Sequence, residues 1–200
     1  MIDRPLDGDR ETRILGVDPG LAKMGWGVID RVGPSFQLVE YGSLKTPADL
    51  PHAKRLRSVY CELQEVIERL QPQVMAIEEV FQGKNARSAL VAGEGRGACI
   101  LAGANAGLPV VEISASVVKL GVTGTGRAAK GQVAAMVRRL LNLETEPKPA
   151  DAADALAVAL THAQRRKTPL SAAVEAAQAR TRRPGTLPQS RPSERGSADS

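Results

Sequence analysis

The sequence predicts an α/β fold in which a mixed five-stranded sheet carries helices on its faces. Three observations predict it. Short apolar runs separated by Gly and Pro turns open the chain, and strand-like runs then alternate with stretches of helical periodicity. Apolar residues make up 42% of the 200 positions, enough for a substantial buried core.

Thr12–Asp18 (TRILGVD) is an apolar run that ends in an acid before Pro19-Gly20, which predicts a strand closed by a turn. Gly25–Asp30 and Phe36–Leu44 read as the second and third strands, with Gly33-Pro34 between them. Short links between three successive strands predict an antiparallel meander. From Leu56 to Leu70, apolar residues recur at steps of three and four, the pattern of one helical face, and Gln71-Pro72 stops the run. Val74–Val80 (VMAIEEV) predicts a buried strand with two acids near its end. Its alternation sets Ala76 and Glu78 on one side and Ile77 and Glu79 on the other. Asn85–Ala106, rich in small residues, predicts a closely packed helix, and Leu108–Ile113 a fifth strand. Ser114–Leu120 reads as a short helix, Gly121–Arg127 as a glycine-rich loop, Lys130–Leu143 as a helix and Asp151–Gln164 as the last one. The strands after the meander, joined through helices, are expected to be parallel.

The net charge of +5 is unevenly spread. Residues 1–83 sum to −3, 84–139 to +6 (8 basic, 2 acidic), 140–164 to −3 and 165–200 to +5. The last block lacks aromatic residues and is broken by four prolines. It reads as a basic, largely disordered tail, because such a composition cannot offset its own ordering entropy. Residues 1–12 read as an extension and 13–164 as the ordered domain. No apolar run reaches the ~18 residues of a membrane span, and the charged first residues lack the apolar segment of a signal peptide. Cys61 and Cys99 fall in helical patterns and are expected to be buried, reduced thiols of a cytoplasmic protein.

Four acids stand out. Asp18 and Glu78 lie at strand ends, and Asp151 and Asp154, three apart, share one face at the start of a helix. Asp at a strand end is also a common turn former, and Asp151 also suits a helix cap. Glu78 is harder to explain in that way, since a carboxylate ending an apolar strand requires a partner or a cation. Carboxylates gathered at one sheet edge repel one another unless cations neutralise them, and an all-oxygen donor set suits hard ions such as Mg²⁺ or Mn²⁺.

ILGVDPGLAKMGWGVI, AIEEVFQGKNARSAL, GEGRGA, VKLGVTGTGRAAKGQVAAMV and ADAADALAVALTH follow one another in an order and spacing that resemble the RuvC family of bacterial Holliday-junction resolvases. The resemblance runs from about Arg13 to Gln164. It implies an RNase H-like fold and a catalytic, metal-binding tetrad of Asp18, Glu78, Asp151 and Asp154. It also implies two metal ions per site, a homodimer acting on four-way junction DNA, paired symmetric nicks, and work beside the RuvA–RuvB branch-migration complex in the bacterial cytoplasm, associated with the nucleoid.

Lys84, Arg87, Lys119, Arg127 and Lys130 are candidate phosphate contacts in the basic block. A solvated helix face is the plain alternative for any one of them; the resemblance favours Lys119 and Lys130. Phe81, one of five aromatic residues, follows the fourth strand among polar neighbours. A core plug is its ordinary role, and the resemblance implies stacking on junction bases. His162 reads as structural and His52 as a surface residue before the first helix, since neither spacing fits a metal or catalytic pair. Glu79 reads as an interface or core-edge residue. A competing assignment comes from Asp18-Pro19-Gly20 with Gly25, which resembles the phosphate-binding hairpin of actin-like phosphotransferases. Those enzymes close two lobes on a nucleotide, and this chain supplies one domain.

Overall fold

The structure, a computed structural model, describes residues 12–79 and 86–165. Phe81, Lys84, residues 1–11 and the tail from residue 166 lie outside the described residues. The elements are β1 (Thr12–Asp18), β2 (Lys23–Val32), β3 (Ser35–Lys45), α1 (His52–Leu70), β4 (Val74–Glu78), α2 (Ala86–Asn105), β5 (Val110–Ile113), α3 (Ala115–Thr123), α4 (Lys130–Leu140) and α5 (Ala150–Arg165). They form one sheet in the order β3-β2-β1-β4-β5. The β1/β2 and β2/β3 pairs are antiparallel, and β1/β4 and β4/β5 are parallel. The predicted mixed sheet and the antiparallel meander are both present.

Side-chain alternation divides the core in two. Leu15, Val17, Met24, Trp26, Val28, Met75 and Ile77 point to one face, where α1 brings Val59, Leu63 and Val66 and α2 brings Cys99 and Ala102. Ile14, Ile29, Val74, Ala76 and Ile113 point to the other, under α3, α4 and α5. A bidentate pair closes one end of the first layer. The Arg13 Nε and Nη2 donate to the two Asp30 carboxylate oxygens, both at 2.8 Å, and Nη1 donates to the Leu70 carbonyl at 2.9 Å. Asp30 is thereby almost fully buried without being unpaired.

Helix α5 lies deepest. Ala152, Ala153 and every residue from Ala155 to Ala163 are buried. Its small residues meet glycines on the sheet. A Cβ placed on Gly16 would stand 2.2 Å from the Ala155 carbonyl oxygen and 2.7 Å from the Ala159 nitrogen. One on Gly25 would stand 1.9 Å from the Asp151 carbonyl oxygen. Glycine at these two positions is what lets the helix backbone rest on the strands.

Several boundaries differ from expectation. Helix α1 begins at His52, four residues early, because its first turn (His52–Arg55) is mostly polar and solvent-facing and leaves no apolar period to read. His52 therefore opens the helix instead of preceding it, and its Nε2 lies 2.8 Å from a Glu94 carboxylate oxygen on α2. Helix α3 continues through Gly121, Val122 and Thr123, so the glycine loop starts only at Gly124. Gly121 is accepted inside the helix because α5 presses on it: an added Cβ would meet Thr161 at 2.8 Å. Strand β4 ends at Glu78, not Val80, and α5 extends to Arg165, one residue into the predicted tail. Cys99 is buried, its thiol pushed up to about 12 by desolvation, whereas Cys61 is only half-buried; neither forms a disulfide.

Candidate active site

Strand parity sets the first two acids. Asp18 follows Ile14 and Gly16 on the α5 face of β1, and Glu78 follows Val74 and Ala76 on the same face of β4. The last paired residues of the two parallel strands are Val17 and Ile77, so Asp18 and Glu78 stand side by side one residue further on. Adjacent strands lie roughly 4.8 Å apart. The other two acids come down onto this edge with α5. Asp18 pairs across the sheet with Gly25, and the backbone of Asp151 rests on Gly25. Asp151 is the second residue of the helix and Asp154 the fifth, three apart at its start as the sequence predicts.

The electrostatics record the crowding. The Asp18 carboxyl is pushed up to about 7, first by burial and then by Glu78, Asp154 and Asp151, with Lys130 opposing. Glu78 is also raised, by burial and by Asp154, while Lys130 and Lys119 pull it down. Lys130, the first residue of α4, places its ammonium nitrogen 3.3 Å from an Asp154 carboxylate oxygen, and this pairing holds it above the ordinary lysine value. Asp18 thus feels the charge of the other three predicted acids and Glu78 that of Asp154, while Lys130 and Lys119, two of the predicted basic residues, oppose these effects. Among the described residues no three acidic, His or Cys side chains close on a single point at metal-binding distance. The donor set nevertheless suits a hard cation: it is all carboxylate oxygen, and the crowding that raises Asp18 is of the kind that bound positive charge would relieve.

The chain belongs to the RuvC family. The family model described as crossover junction endodeoxyribonuclease RuvC matches residues 14–162, which include every acid of the site. A crossover junction endodeoxyribonuclease RuvC of Chloroflexus aggregans is 52% identical over 151 residues, covering 76% of this chain and 92% of the relative. One from Desulforamulus reducens is 50% identical over 151 residues, covering 76% and 93%. Among solved structures, Thermus thermophilus RuvC in complex with a Holliday junction substrate superposes with a TM-score of 0.75 at 36% identity, over 78% of this chain and 95% of that one. The RNase H-like sheet of RuvC is therefore the fold of this chain.

The other predicted residues lie outside the group of acids, Lys119 acting on it only through its charge on Glu78. Lys119 is half-buried on α3, and Arg127 is exposed between α3 and α4. Arg87 lies in the first turn of α2, on the opposite side of the sheet from α3, α4 and α5. His162 is buried in the last turn of α5, away from the acids, as its spacing from Asp151 requires. Sequence reasoning missed the structural role of Gly16 and Gly25. The signal was available: glycines on one face of two neighbouring strands, matched by an alanine-rich helix at the end of the domain.

Proposed function

We propose that the protein resolves four-way DNA junctions by paired, symmetric nicks, each a metal-dependent hydrolysis that leaves a 5′-phosphate and a 3′-hydroxyl. The observation that carries this reading is the carboxylate edge, where burial and three neighbouring acids push Asp18 up to about 7. Asp18, Glu78, Asp151 and Asp154 would hold Mg²⁺ or Mn²⁺, two ions per site. When bound, such ions activate water and stabilise the leaving oxygen of an in-line displacement. Lys119 and Lys130, facing Glu78, would neutralise the scissile phosphate, with Lys84, Arg87 and Arg127 on the flanking backbone and Phe81 stacked on a junction base.

A two-fold junction cut symmetrically calls for a two-fold protein. Helix α2 supports a homodimer. Ala86, Leu90, Gly93, Gly97, Leu101 and Ala104 form one exposed stripe along it without a single charge. Leu90 and Leu101 are 64% and 53% exposed, and Cβ atoms at Gly93 and Gly97 would meet nothing within 4 Å. A second copy packing there would bury the stripe. The RuvA–RuvB branch-migration complex is the proposed partner upstream of cleavage, and the bacterial cytoplasm the proposed site of action; no helix among the described residues is long and apolar enough to cross a membrane.

The deciding experiment is a cleavage gel with a synthetic four-way junction. Nicking is expected with Mg²⁺ or Mn²⁺ and not in chelator. Asp154→Asn is expected to lose at least 100-fold in rate while still binding the junction. Nicking by wild-type protein in chelator would overturn the metal-dependent reading.

A further inference from the structure

We propose a second DNA-backbone contact, a cationic strip of Lys23, Lys45 and Arg55 on the sheet rim beside the acids, holding phosphates that flank the one being cut. It rests on the junction-resolving function proposed above and adds a surface outside the basic block of residues 84–139.

Lys23 opens β2 and Lys45 closes β3, and the two are direct cross-strand partners. Like charges set opposite each other weaken a strand pair, yet both lysines are exposed and neither forms a salt bridge among the described residues. Parity gives them a direction. Lys23 shares a strand face with Gly25, the partner of Asp18, so the lysines project on the face that carries the acids. Two residues along β2 separate Lys23 from Gly25, roughly 7 Å at strand rise.

Arg55 extends the strip around the rim. Its Nε donates to the Thr46 hydroxyl at 2.9 Å. That hydroxyl donates to the Leu21 carbonyl, and the Thr46 N–H donates to the Ala22 carbonyl at 3.1 Å, so the guanidinium braces the chain beside both lysines. Lys54 and Arg57 are also exposed at this end of α1. Between residues 45 and 57 the only acid is Asp49. An open rim with charges spaced along it suits a repeating phosphodiester chain better than a single small anion. Block averaging hides the strip, because residues 1–83 sum to −3 while folding brings these cations together.

The test is the salt dependence of binding, measured with the full chain on a four-way junction and on a linear duplex in a non-hydrolysing buffer. Lys23→Ala/Lys45→Ala is expected to flatten the slope of log affinity against log salt by about 1.8 and to weaken binding at 0.1 M salt on the order of 10- to 60-fold. Lys23→Arg/Lys45→Arg is expected to restore both. Removing the repelling pair should leave the melting temperature equal or higher, which separates lost contact from lost fold. An unchanged slope on both DNAs overturns the strip. Wild-type protein that binds duplex with no preference for the junction overturns the resolvase reading instead, and the strip is then judged on the duplex slope alone.

Discussion

Asp18 shows what the site costs the folded chain. Its carboxyl, ordinarily near 3.8, is pushed up to about 7 by burial and by neighbouring acids. Between those values the folded protein holds a proton that the unfolded chain has released. Metal-free stability therefore falls as pH rises from about 4 through 7 and stays low above it. Asn at this position cannot ionise. In chelator, Asp18→Asn is expected to melt above the wild type at pH 8, by about 2–4 kcal/mol in stability, and to differ little at pH 4. Differential scanning fluorimetry at the two pH values checks this, and an equal gap at both would refute the assignment of the strain to charge. Asp18 and Glu78 were legible as acids at strand ends because a strand's parity is written in its alternation. Lys130 could be read only as basic. That it pairs with Asp154 depends on where α4 begins relative to α5, which no local pattern encodes.

At the scale of elements, α5 is the one that makes the site. It brings two of the four acids, and it reaches them to the sheet only because Gly16 and Gly25 present bare backbone. Gly16→Ala and Gly25→Ala are each expected to destabilise the fold by about 2–3 kcal/mol, since the clash is with backbone that cannot rotate away. Gly25→Ala should in addition lower divalent-ion affinity measured by calorimetry, because the displaced backbone belongs to Asp151. If it lowers stability alone, Asp151 is not a ligand. Element order was readable throughout, from the turn residues and the change of period. Boundaries failed where a helix turn faces water, as at His52–Arg55, or where a tertiary contact demands glycine within a helix, as at Gly121.

For the whole molecule, the two sheet faces have separate duties. One carries α3, α4 and α5 with the acids, and the other carries α1 and α2 with the uncharged stripe. Gly97→Glu on that stripe is expected to convert the proposed dimer to monomer in sedimentation velocity and to replace the proposed paired nicks with independent single ones. A dimer that survives the substitution would place the two-fold contact elsewhere. The stripe escaped sequence reading because small residues in Asn85–Ala106 read equally well as tight packing within one copy. Only the fold shows that Cys99 and Ala102 take the inward face and leave Gly93 and Gly97 outside.

The late position of α5 in the chain also sets when the protein becomes dangerous to DNA. Asp18 leaves the ribosome early and Asp154 follows 136 residues later, a lag of roughly 7–27 s at ordinary rates of synthesis. Until α5 has emerged, the nascent strands lack both the helix that seals one side of their sheet and half of the proposed tetrad. A polypeptide stalled before α5 would thus be unarmed, lacking Asp151 and Asp154.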